Sequence, residues 1–132
     1  QFLNNRNRPS SFTEFFLVQK DFNEILEDSR IRIPVNQGVQ SYGELWARSV
    51  QRGYRFPGVA ANIRNALATT SLMRLKTNSV GEAKLKNIKP GNYYLIGAST
   101  LGQVGVVWSK PVQIRGGAND VSLGLSDAIW AE

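Results

Sequence analysis

The spacing of apolar residues along this chain changes near residue 70 from a period of about 3.6 to a period of about 2. Over residues 20–70 the pattern is helical. "DFNEILEDSRI" places Phe22, Ile25 and Leu26 at i, i+3 and i+4, which predicts a short helix. Its carboxylates lie toward the N-terminal side and Arg30 at the other end, an arrangement that suits the helix dipole. From Ser41 onward, Tyr42, Leu45, Trp46, Ser49 and Val50 mark one face of a second helix ending near Gly53, with Arg48 and Arg52 one turn apart on another face. Pro57 suits the first turn of a third helix, where its missing N–H costs nothing, and Val59, Ile63, Ala66 and Leu67 supply the buried stripe. Pro34 and Gly38 break the linker "IRIPVNQG" between the first two helices.

Beyond residue 70 the apolar positions alternate. Met73 and Leu75 oppose Arg74 and Lys76, and after a turn at Asn78, Ser79 and Gly81, Ala83 and Leu85 oppose Lys84 and Lys86. "GNYYLIGAS" and "GVVWSKPVQIR" read as further strands, the second with a proline, Pro111, that marks an edge or a break into two. "GGAND" is a turn, and Val121, Leu123 and Leu125 alternate in a last strand. At the other end "FTEFFLVQ" (Phe12–Gln19) is rich in strand formers. With the turn-rich "NNRNRPSS" before it and Gln1–Leu3 before that, it predicts a hairpin whose first strand is cut off at Gln1.

"NIKPGNYYLIG" carries the most specific local signal. Lys89-Pro90-Gly91-Asn92 matches a type II turn, in which proline presets the second position and glycine takes positive φ at the third. Ile88 and Tyr93 flank it, the spacing of a tyrosine corner, in which the hydroxyl bonds back to backbone a few residues upstream, here near Lys89. Tyr93 and Tyr94 must point to opposite faces of their strand. If Tyr93 faces the core with Leu95, then Tyr94 and Ile96 face outward and need a cover. The cover closest to hand is the chain's own helical segment, whose apolar stripes also need burial; otherwise Tyr94 is an exposed aromatic for a partner.

Together, "SVGEAKLKNIKPGNYYLIG" and "VVWSKPVQIRGGANDVSLGL" resemble the carboxypeptidase-regulatory-like, transthyretin-like β-sandwich domains of bacterial envelope and secreted proteins. The elements that carry the likeness are Gly81, Pro90, Gly91, Tyr93, Gly117, Asn119, Val121 and Leu123, and Arg8 and Pro9 would stand in the turn of the family's opening hairpin. The likeness covers residues 1–19 and 71–125 and leaves out 20–70. It implies a mainly β, Greek-key sandwich of about six or seven strands with a helical insertion of about three short helices at 20–70 and a C-terminal tail at 126–132. It implies little about function, because such sandwiches are grafted onto many proteins.

Composition narrows the chemistry. With 132 residues, 42% apolar and 20% charged, the chain reads as one ordered domain. No apolar run approaches the roughly 18 residues needed to span a bilayer. No signal peptide is evident and the chain opens on Gln1, so a processed or excised segment of a longer protein is expected. Cysteine and histidine are both missing, which removes disulfides, thiolate chemistry, the usual neutral-pH base and the commonest transition-metal ligand. Asp21, Glu24, Glu27 and Asp28 lack the spacing and turn glycine of a calcium loop and read as a solvated helix face. Neither a nucleophile elbow nor a phosphate-cradling glycine loop occurs, so no catalytic, cofactor or metal residue is assigned; a carboxylate-based hydrolase is the distant alternative.

The formal charge is +6, from 16 Lys and Arg against 10 Asp and Glu. The basic residues are scattered, which disfavours a nucleic-acid face. Their most coherent cluster is Arg74, Lys76, Lys84 and Lys86, expected on one side of two neighbouring strands, either as a solvated face or as a site for a glycan or other polyanion. Tyr94 and Trp108 complete this candidate surface, although Trp108 alternates with Val104, Val106, Val112 and Ile114 and so also reads as a core residue. Trp130 is expected to dock on the sheet or to meet a following domain. The expected role is a non-catalytic structural or interaction module of a larger secreted, periplasmic or cell-surface protein, partnered by neighbouring domains or another envelope protein.

Overall fold

The computed structural model describes residues 12–51, 55–101, 104–124 and 127–131. The first strand and the turn of the expected opening hairpin, with Arg8 and Pro9 in that turn, lie outside these residues, as do Arg52, Gly53 and Leu125.

Strand β1 (Glu14–Val18) shows how the molecule is layered. Phe15, Phe16, Leu17 and Val18 are all buried. Side chains of a strand alternate between faces, so a run without an exposed position belongs to a sheet covered on both sides. β1 is indeed interior, pairing antiparallel with β2 (Met73–Lys76) and with β4 (Gly91–Leu101). β4 pairs along its length with β5 (Val104–Ile114), and β5 with β7 (Ala128–Ala131), giving the order β2-β1-β4-β5-β7. β3 (Glu82–Leu85) and β6 (Asn119–Ser122) form a separate antiparallel pair. Among the described residues the fold is mainly β, with seven strands in two antiparallel sheets and three α-helices.

Two cores share the large sheet. On one face Phe15, Leu17, Tyr93, Leu95, Val106 and Trp108 meet Leu85 and Leu123 from the small sheet. On the other, Phe16, Val18, Ile96 and Val107 meet the helical layer: α1 (Phe22–Asp28), α2 (Tyr42–Gln51) and α3 (Val59–Thr70). The buried stripes are those the spacing predicts: Phe22, Ile25 and Leu26 on α1, Leu45 and Trp46 on α2, Ile63 and Leu67 on α3. Trp46 stacks on Phe22 with ring centroids 5.3 Å apart. α3 is tied to β1 by Arg64, whose Nε and Nη2 donate to the two carboxylate oxygens of Glu14 at 3.1 and 3.2 Å.

Four local expectations change. Pro111 does not break its strand: among the described residues β7 pairs with Val106–Trp108 and no strand follows it along that side of β5, so a missing N–H is tolerated. The C-terminal stretch is not a tail, since 128–131 form edge strand β7, where Trp130 pairs with Val107 and packs against the helix-side core. Pro57 precedes α3, which begins at Val59 after Gly58 in the left-handed region at φ 77°. Gly91 has φ 158° and already belongs to β4, far from the roughly +80° of a type II turn.

Candidate functional site

The residues singled out from the sequence are dispersed by the fold. Tyr93 is a buried strut: its hydroxyl donates to the Lys89 carbonyl oxygen, and its ring lies over Gly91. Tyr94, on the opposite face, is half-buried against the helix-side core, so the helices do cover it. Trp108 is not a surface residue. It is fully buried, meets Phe15 edge-on at 5.5 Å, and donates its indole N–H to the Gly124 carbonyl oxygen at 2.8 Å.

The basic strand face does not form, because β2 and β3 are not neighbours. Arg74 pairs with Phe16 across β1, so Arg74 and Lys76 project on the helix side of the large sheet. Ala83 and Leu85 turn inward on β3, so Lys84 projects from the far side of the small sheet, opposite Asp120, with Lys86 just past the strand end. The alternation of each strand is legible from its sequence, but the partner it chooses is not. These four cations therefore occupy opposite outer faces.

The fold instead brings together cations from the connections of the helical layer. α1 ends in a Schellman turn: Ile31 N–H donates to Leu26 O at 3.1 Å and Arg30 N–H to Glu27 O at 3.0 Å. That motif needs a left-handed residue, normally glycine, and here Arg30 holds it at φ 60°. Ile31 turns into the helix-side core while Arg30 and Arg32 stay exposed on either side of it. The Tyr42 hydroxyl, reaching over from α2, donates to the Ile31 carbonyl oxygen at 2.7 Å and pins the segment. Burial, aided by the Glu27 carboxylate, raises the Tyr42 pKa above its ordinary value.

Opposite this segment lie Arg55, the Phe56–Gly58 turn and one face of α3, and between them opens a recess of about 700 Å³. Its floor is apolar, with Ile31, Leu45, Phe56, Val59 and Ala66. Its rim carries Arg30, Arg32 and Arg55, the amides of Gln37, Asn62 and Asn65, and the hydroxyls of Ser29, Thr69 and Thr70. Among the described residues no carboxylate lines it. Of the acids nearby in sequence, Asp28 pairs with Lys20 at 3.0 Å and Glu44 with Arg48 at 2.7 Å, while Glu27 lies near the Tyr42 hydroxyl. Such a lining can hold an anionic group by charge and hydrogen bonding, with apolar surface beneath.

Sequence reasoning missed this site. The alternation of Arg30, Ile31, Arg32 and Ile33 was a usable signal, since it puts two guanidinium groups on one side of a segment whose isoleucines are half-buried. Nothing local connects them to Arg55. Comparison with protein-family models, with curated proteins and with solved structures finds no match for the chain.

Proposed function

We propose that the chain is a non-catalytic interaction module of a larger secreted or envelope protein, and that the arginine-rimmed recess is where it receives an anionic group of its partner. The observation that carries this reading is the convergence of Arg30, Arg32 and Arg55 on one recess with no carboxylate among its described lining residues. Unopposed guanidinium groups attract and orient oxyanions, and they do so best where the backbone beneath them is already ordered. The transthyretin-like, Greek-key reading of the scaffold belongs to the same proposal. Two antiparallel sheets sharing a core and the Tyr93–Lys89 hydrogen bond support it.

Sulfate titrated at low ionic strength tests the site by amide chemical shifts. The expected shifts concentrate on 30–32, 55–57 and 62–70 and fade as sodium chloride is added. Shifts confined to Arg74, Lys76, Lys84 and Lys86 would return the site to the strand faces, and an unchanged spectrum would remove it.

A further inference from the structure

We infer that the recess takes an organic anion with an apolar body: an oxyanion head held at the Arg30–Arg32 rim, and a hydrocarbon or aromatic portion lying on Ile31, Val59 and Ala66. This rests on the reading of the recess as an anion site and specifies its ligand. Three features separate such a ligand from a bare ion or an acidic polymer.

The first is size. A carboxylate or phosphate alone fills a small part of about 700 Å³, a volume in the range of organic-ligand sites. The second is the floor. Leu45 and Phe56 already belong to the hydrophobic core, and beside them Ile31, Val59 and Ala66 are half-buried, so a ligand reaching the floor removes from water the apolar surface these three still expose together with its own. A polyanion would gain nothing from that floor and would need the positive charge to continue along the surface. Arg74, Lys76, Lys84 and Lys86 do not extend it as one strip.

The third feature is Arg30 itself. A side chain in the left-handed region is held there against a steric cost that glycine would not bear. The Schellman bonds and the Tyr42 hydroxyl over-determine the turn, so the guanidinium is carried by a backbone fixed before any ligand arrives. Phe12 and Asn87 hold the same backbone region elsewhere, but Arg30 does so at the rim of the recess, where its guanidinium is placed by an ordered turn.

Isothermal titration of the folded chain with acetate, octanoate, octyl phosphate and octylammonium at low ionic strength tests the inference. Octanoate is expected to bind at least about tenfold tighter than acetate, from partial burial of its added methylenes. Octylammonium is expected to show no measurable binding. Octyl phosphate binding tighter than octanoate supports the same inference with a phosphate head. Arg32→Gln should weaken octanoate at least about fivefold. Arg30→Gly should do the same with an equal or higher melting temperature, which separates loss of the ligand contact from loss of the fold.

Octanoate binding no tighter than acetate, with acetate still perturbing the recess, overturns this inference and leaves the anion-binding reading standing. Silence from acetate, octanoate and sulfate together removes both. Octylammonium binding as well as octanoate overturns the role of the arginines. An acidic peptide that binds while octanoate does not would replace the small amphiphile with a protein partner.

Discussion

Tyr93 and Tyr42 each use a phenolic hydroxyl to close a turn, and the two differ in what the turn carries. Tyr93 donates to Lys89 O within its own strand entry, beside a ring that already packs in the core. Tyr93→Phe keeps that packing and removes one hydrogen bond, so it should lower the unfolding free energy by about 1 kcal/mol in urea titration. An unchanged midpoint would mean that the corner is held by the ring alone. Tyr42 acts between elements, holding Ile31 O and with it the arginine-bearing segment. Its pKa is raised by burial first and by Glu27 second, above the ordinary 10.0. A phenol with a raised folded-state pKa contributes stability that is fully present below its unfolded pKa and is lost as pH rises through the folded one. Tyr42→Phe should therefore be less stable than the parent by about 1 kcal/mol near pH 8, and the gap should shrink by about pH 11. Lys20 also titrates in the alkaline range with a raised pKa, caused by its hydrogen bond to Asp28, but it is common to both proteins and cancels in the difference.

At the scale of elements, a close approach of α2 to the sheet is made possible by a glycine. A Cβ on Gly105 would run into the Ala47 carbonyl oxygen, so α2 lies on β5 only because that position has no side chain. Backbone cannot yield as a side-chain tip can. Gly105→Ala should destabilise by about 2–3 kcal/mol, or split α2 from the sheet, seen as lost near-ultraviolet signal from Trp46 and Trp108. What the sequence made legible at this scale is what local chemistry decides. The stripes of α1, α2 and α3, the alternation of β2 and β3, and the Ile88-to-Tyr93 motif all depend on neighbours within a few residues. Strand partnership does not: Arg74 and Lys84 sit in similar alternating stretches, yet their strands joined different sheets. Pro111 had two readings because only the short reach of β7 decides between them. The recess was illegible for the same reason, since Arg55 joins Arg30 and Arg32 only after α3 has packed beside the end of α1.

For the molecule as a whole, the helical layer has a place that topology and energetics assess differently. β1 and β2 are antiparallel neighbours, with Leu17 paired to Met73, and Leu72 N–H donates to Leu17 O at 2.8 Å. The chain leaves the sheet for α1 to α3 and returns beside the point it left, so a two-residue hairpin turn could close that gap without moving a strand. Burial argues the reverse. Removing the helices would expose Phe16, Val18, Ile96 and Val107, four side chains now at 2% exposure or less on one face of the large sheet. At roughly 1.5–3 kcal/mol for each side chain returned to water, the loss is comparable to the whole stability of a domain this size. Replacing residues 20–70 by Asn-Gly, which keeps Gln19 opposite Ser71 in the existing register, should therefore give a chain that is unfolded or self-associated, detected as early elution in size-exclusion chromatography and poor amide dispersion. A monomeric, well-dispersed product would instead show that the two sheets stand alone and that the helical layer is an addition. In the expected case the recess and the sheet are one cooperative unit, so a ligand that binds at the helix ends, 62–70 and 29–32, should raise the melting temperature of the entire domain.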